Sequence, residues 1–191
     1  ETFEAGGGEI LFVSHSADPS EAVQKTNDYM TAYGDTDCIY ATGEDYITPA
    51  ADVIKSRGIT DCKIYGSNIS PSVCQLIMDG QVEACTGGEF VCGSLAVTLL
   101  INYLDGNPIK DADGTAPYFD NLTQFMVTAE NAEDFYEFLS DENLATHTIS
   151  DEEYQNLLVR NNPDVDYDYF YDFLTNYEEN VYAKVEANAA Q

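Results

Sequence analysis

CKIYGSNISPSVCQLIMDGQVEACTGG, residues 62–88, reads as strand, polar loop, helix, glycine stop, strand and glycine pair. CKIYGS is short and carries the Ile and Tyr of a buried strand. Ser70 is placed to cap the helix, with Pro71 at its first position, where a missing N–H costs nothing. Val73, Leu76 and Ile77 share one helical face, and Gly80 occupies the left-handed stop. QVEACT is the returning strand. In a β-α-β unit of this kind ligands meet the carboxyl ends of the strands, here Ser67-Asn68 and Thr86-Gly87.

The same grammar extends upstream. Residues 1–8 read as the tail of a helix ended by three glycines, with no Gly-Lys-Ser/Thr to make GGG a phosphate loop. EILFVS (9–14) reads as a strand. Asp18-Pro19-Ser20-Glu21 opens a helix to about Ala32, with Asp18 as cap and Glu21 reaching back. DCIYAT (37–42) is the next strand, and 46–57 a helix stopped at Gly58. Strands and helices alternating at this spacing predict an α/β fold, a parallel sheet flanked by helices with right-handed connections. Downstream, residues 91–104 form a strongly apolar helix ending at Gly106-Asn107-Pro108, and 110–117 a polar loop. LTQFMV (122–127) reads as a strand and 131–139 as an acidic, aromatic helix. Ser150-x-x-Glu153 is a capping box for a helix through Leu158, and 166–186 reads as one last tyrosine-rich helix.

Composition narrows the function classes. The chain has 191 residues, 44% of them hydrophobic, enough for a core. Thirty-five acidic against seven basic residues give a net charge of −28, which repels nucleic acid and anionic membranes. No run of about 20 apolar residues is present to span a bilayer. The opening ETFEAGGGE is neither an initiator methionine nor a signal peptide and suggests a fragment of a mature protein. The five cysteines, Cys38, Cys62, Cys74, Cys85 and Cys92, have no C-x-x-C and no zinc spacing; Cys38, Cys62 and Cys85 sit in apolar strands as small hydrophobes. His15 and His147 each lack a second histidine at ligand spacing. The acidic run 111–120 has Ile109 where a calcium loop needs its first ligand, and Asp164-x-Asp166-x-Asp168 runs into Tyr169 rather than glycine. No metal or other cofactor is expected, nor a nucleophile–base pair: Ser14-His15-Ser16 lacks the Gly-x-Ser-x-Gly frame.

Gly66-Ser67-Asn68-x-Ser70-Pro71, CQLIMDGQVEACTGG (74–88) and GSLAVTLLINYLDGNPI (93–109), in this order after DCIYATGEDYITPAADVIKSRGI (37–59), resemble the carboxy-terminal half of a type I periplasmic binding protein. The similarity is to sugar-binding receptors of ABC transporters of the ribose- and galactose-binding type. It implies a non-enzymatic receptor with two lobes that closes around a small-molecule ligand, a sugar, and delivers it to a membrane permease. It implies a periplasmic or extracellular place, as a cell-surface lipoprotein in a single-membrane bacterium. Residues 1–130 would be the carboxy-terminal lobe without its first strand, and 131–191 an acidic, tyrosine-rich helical extension. Helix 91–105 would pack on the missing lobe. Without that lobe, Leu95, Leu99, Leu100 and Tyr103 would be left exposed, predicting a dimer or association with the missing half. The effector domain of a lac-repressor-type transcription regulator shares the fold and is the alternative; a charge of −28 sits poorly beside DNA.

The resemblance also implies a ligand set. The family's ligand Asp matches Asn68, and its Asn-Asp pair matches Gly43-Glu44. Its post-strand Gln falls at Gly87 or Gly88, the expected hinge, which Glu89 and Phe90 follow. The aromatic after the EILFVS strand matches about Asp18, with His15 close by. Each has a plainer reading. Asn68 makes an Asx-turn, Glu44 favours a helix N-terminus, Asp18 is a cap, and Phe90 belongs to the core.

Overall fold

In this computed structural model, residues 2–89, 91–140 and 148–190 are described. The chain divides into two compact units, Glu1–Cys85 and Thr86–Gln191.

Unit 1 begins with α1 (Thr2–Ala5), followed by α2 (Pro19–Ala32), β1 (Cys38–Ala41), α3 (Glu44–Ser56), β2 (Lys63–Ser67), α4 (Pro71–Met78) and the start of β3 (Ala84–Gly87). The caps follow local chemistry: Asp18 Oδ1 accepts from Glu21 N–H at 2.9 Å, and Ser70 Oγ from Val73 N–H at 3.2 Å. Gly58 and Gly80 take φ of +67° and +70° at their helix ends, the conformation that closes a helix without a Cβ penalty. β1 and β2 run parallel, with Ala41 opposite Gly66. α3 lies over them and buries Ile47, Ala50, Ala51, Val53 and Ile54. The approach is close: a Cβ at Gly66 would lie 2.4 Å from Ile47 Cδ1. Cys62 and Cys74 are buried in this layer, and burial pushes their thiols up to about 11 and about 12.

EILFVS does not join the sheet. Residues 9–14 have no strand assignment, and Ile10, Leu11, Phe12 and Val13 are exposed, Val13 by 73%. Phe12 lays its ring on Tyr29 of α2 at 3.9 Å between centroids. Alternation predicts strand conformation, but a strand is stable only with a ladder partner, and this segment has none.

Unit 2 takes the end of β3 and continues with α5 (Val91–Leu104), β4 (Phe125–Thr128), α6 (Ala132–Ser140), α7 (Asp151–Asn156), α8 (Tyr167–Thr175) and α9 (Tyr177–Ala189). β4 is the neighbour of β3 in the strand order β1-β2-β3-β4. Its core is aromatic: Phe125 stacks on Phe135 at 5.1 Å, and Phe125 packs against Tyr177 at 6.3 Å. The expected capping box forms, Ser150 accepting from Glu153 N–H while the Glu153 carboxylate returns to Ser150 N–H. Burial opposes ionisation of Glu153, but Lys184 and Ser150 outweigh it and hold its carboxyl below the usual value. The single helix expected over 166–186 is two helices, because Asn176 closes α8 and opens α9.

α5 is turned with polar groups inward. Its buried positions are Val91, Leu95, Thr98 and Asn102, whereas Leu100 is 53% exposed and Tyr103 64%, with Val97 and Leu104 beside them. The expected exposure thus holds for Leu100 and Tyr103; Leu95 is instead in the core and Leu99 half-buried. Asn102 is fully buried because its amide is satisfied on both sides. Its Nδ2 donates to Leu157 O and its Oδ1 accepts from Val159 N–H, each at 2.9 Å.

Candidate functional site

Parallel pairing with Ala41 opposite Gly66 brings the ends of β1 and β2 to one edge of unit 1. Gly43 and Glu44 follow β1 there, and Asn68 follows β2. The segment before α2 is tied to the same edge, since the Tyr46 hydroxyl, in the first turn of α3, donates to Ser16 O at 3.1 Å. Lys25 Nζ adds a bond to His15 O and an ion pair with Glu21 at 2.8 Å. Gly43 and Glu44 thus follow one strand end of unit 1 and Asn68 the neighbouring one, and the segment that carries His15 and Asp18 is tied to the first turn of α3 through Ser16.

Their chemistry differs. Gly43 is buried extended backbone and offers no side chain. Asp18 spends one carboxylate oxygen on its helix cap, the plainer of its two roles. Asn68 has φ +74°, a left-handed position that asparagine tolerates. The Asx-turn is absent: among the described residues the Asn68 side chain makes no hydrogen bond, and neither do those of His15 and Glu44. Asn68 and His15 are exposed and Glu44 half-buried, so an amide, an imidazole and a carboxylate are presented to solvent as donors and acceptors.

In unit 2, Gly87 and Gly88 are both buried, and Gly88 takes φ +123°. A Cβ there would lie 3.0 Å from Tyr177 Cε1, so glycine is required on two counts. Glu89 follows, half-buried, and its Oε2 is shielded from solvent with no hydrogen-bond partner among the described residues. Phe90 and His147 lie outside the described residues. Among the described residues no group of three or more His, Cys, Asp or Glu could hold a metal ion, and no helix is long and apolar enough to cross a membrane.

Two grooves flank the outward face of α5. One, of about 530 Å³, is lined by Ser94, Val97, Thr98, Tyr154, Gln155 and Arg160. The other, about 310 Å³ and almost wholly apolar, lies between Leu99, Leu100 and Tyr103 on the helix and Pro108, Ile109 and Pro117 after it. Sequence reasoning missed both Tyr177 and the Tyr46–Ser16 tie. Tyr177 stands in a tyrosine-rich run without a distinguishing spacing, and the tie joins residues 30 apart.

Among solved structures, a galactofuranose binding protein is similar to the chain at 16% identity and a TM-score of 0.58, over 74% of this chain and 48% of that one. A periplasmic sugar-binding protein from Pseudomonas fluorescens is similar at 18% identity and 0.57, over 80% and 45%. The periplasmic component of the arabinose ABC transporter from Shewanella sp. ANA-3, bound to α- and β-L-arabinofuranose, is similar at 20% and 0.54, over 68% and 43%. The chain thus has the fold of sugar-binding periplasmic proteins of ABC transporters and spans about half the length of these structures. No curated protein matches it. Residues 1–108 match the family described as periplasmic binding protein domain, more than half of the chain, and the protein belongs to that family.

Proposed function

We propose that the chain is part of a non-enzymatic solute receptor of an ABC-type importer, with a sugar as its ligand. The observation that carries this reading is Glu89 Oε2, a carboxylate oxygen withdrawn from water, without a donor, one residue after the hinge glycines. A buried acceptor of this kind costs free energy until a donor reaches it, and a sugar hydroxyl is such a donor. Separately, the edge of unit 1 that carries His15, Asp18, Gly43, Glu44 and Asn68 presents donors and acceptors of the kind that hydroxyl groups need. The similar galactofuranose binding protein and the similar protein bound to L-arabinofuranose support the class.

In this reading residues 1–130 carry the receptor's carboxy-terminal lobe and 131–191 an acidic helical extension. Ligand binding favours the closed state about Gly87 and Gly88. The outward face of α5 is covered by the remaining lobe, and a membrane permease takes the ligand in a periplasmic or extracellular setting. The charge of −28 weighs against the regulator reading, because such a domain works beside DNA.

Thermal-shift and calorimetric screening of the full-length protein against furanose and pyranose sugars tests this. At least one sugar should raise the unfolding midpoint, and Glu89→Gln should weaken its binding about tenfold or more, by removing a charged acceptor. A shift with a purine or an amino acid but with no sugar rejects the ligand class.

A further inference from the structure

The family match ends at residue 108, and the chain beyond it carries a surface that the receptor reading does not use. On α8, Phe170 and Leu174 turn into the core, leaving Tyr167 and Tyr171 as a second row one turn apart. Phe119 lies against this row. Its ring stacks on Tyr167 at 4.9 Å between centroids, and Tyr167 stacks on Tyr171 at 6.1 Å, with planes inclined by only 19° and 26°. The segment around Phe119 is tied to the helix on both sides of that ring. The Tyr167 hydroxyl donates to Tyr118 O at 3.1 Å, and Asn121 Nδ2 donates to Tyr171 O and Thr175 Oγ1, each at 2.7 Å. Yet Tyr118 is 71% exposed and Tyr171 40%. Core packing explains Phe170 and gives no reason for aromatic rings left in water beside it.

The charge around these rings has one sign. Residues 111–120 carry three aspartates and 164–172 four, and neither stretch has a lysine or arginine. Among the described residues none of these aspartates is in an ion pair. Desolvation pushes the Tyr167 phenol up, and Asp111, Tyr171, Asp120 and Asp168 push it further, so these carboxylates act on the ring row itself. We propose that the tyrosine row of α8, with Tyr118 beside it, is a docking surface for an arginine- or lysine-rich segment of another protein. A guanidinium laid on a tyrosine ring is held by the ring's quadrupole and bonds a carboxylate through its edge. A neutral sugar would stack on the rings but leave the carboxylates uncompensated. An anionic partner is repelled by a chain of net charge −28. None of these residues is assigned to the sugar, so the surface stands or falls apart from that reading.

Calorimetric titration of the full-length protein with hexa-arginine peptide tests this. The peptide should bind, less tightly as salt is raised. Tyr118→Ser with Tyr171→Ser leaves the net charge unchanged, and should weaken binding about tenfold. Tyr118→Ser alone should weaken it about threefold without lowering the unfolding midpoint, which separates docking from stability. Asp120→Asn with Asp168→Asn should weaken it more than Asp28→Asn with Asp52→Asn, an equal change of charge at exposed positions of α2 and α3. Unaltered affinity in the tyrosine variants, or equal losses from the two aspartate pairs, overturns the docking surface in favour of diffuse attraction to an acidic protein. Failure of hexa-arginine to bind overturns it outright. Tyrosine-dependent binding of maltohexaose in its place would make the row a carbohydrate platform instead.

Discussion

α3 and α5 are nearly equal in length, 13 and 14 residues, yet they use apolar side chains in opposite ways. α3 places Ile47, Val53 and Ile54 inward and its charged residues outward, the ordinary arrangement of a helix on a sheet. α5 contains no charged residue at all, buries Thr98 and Asn102, and turns Val97, Leu100, Tyr103 and Leu104 out. Val97, Leu100 and Leu104 lie at spacings of three and four, with Tyr103 three after Leu100, and together they form a ridge between two grooves. The first helix is finished by its own unit. The second leaves its apolar ridge exposed.

That contrast can be broken at its strongest point first. Ile47→Ala should destabilise the protein by about 2–5 kcal/mol in denaturant unfolding, since it deletes a fully buried side chain packed on Gly66. A loss well under 1 kcal/mol would mean that α3 is no more committed to its sheet than α5 is. Asn102→Ala should cost about 1–3 kcal/mol, a large effect for a polar residue, because it strands Leu157 O and Val159 N–H. A neutral result would show that water replaces the amide, and the helix would then be loosely seated. The smallest change is expected for Leu100→Ser, within about 0.5 kcal/mol in the unassociated chain. The same variant should reduce association seen by light scattering, in which the unaltered chain forms a dimer or holds its missing half. A clean monomer of the unaltered chain, with no bound partner fragment, would refute the covered ridge.

What could be read from the residues was mostly what is local. Asp18, Ser70 and Ser150 cap their helices as their spacing requires, and Gly58 and Gly80 stop them. The β-α-β unit around residues 62–88 is present, with β2 beginning at Lys63, one residue after the start of CKIYGS. EILFVS was misread because alternation reports a half-buried surface, whereas strand formation depends on a partner elsewhere in the chain. The tyrosine-rich run reads as one helix because one asparagine is a weak breaker by propensity. The strand-end placement of Asn68 and Glu44 follows from topology, but the missing Asx-turn does not, nor does the unpartnered oxygen of Glu89. Those depend on side-chain geometry that residue order does not carry.

Asn102 has a consequence for how α5 keeps its orientation. A 14-residue helix with apolar groups on nearly every side gains similar burial whichever way it rolls about its axis, so hydrophobic free energy alone discriminates weakly between rotations. Two hydrogen bonds of fixed direction do discriminate: a turn of 100°, one residue, would carry the amide away from both Leu157 and Val159. The asparagine therefore acts as a rotational key. It fixes which side of α5 faces outward by direction rather than by apolar area.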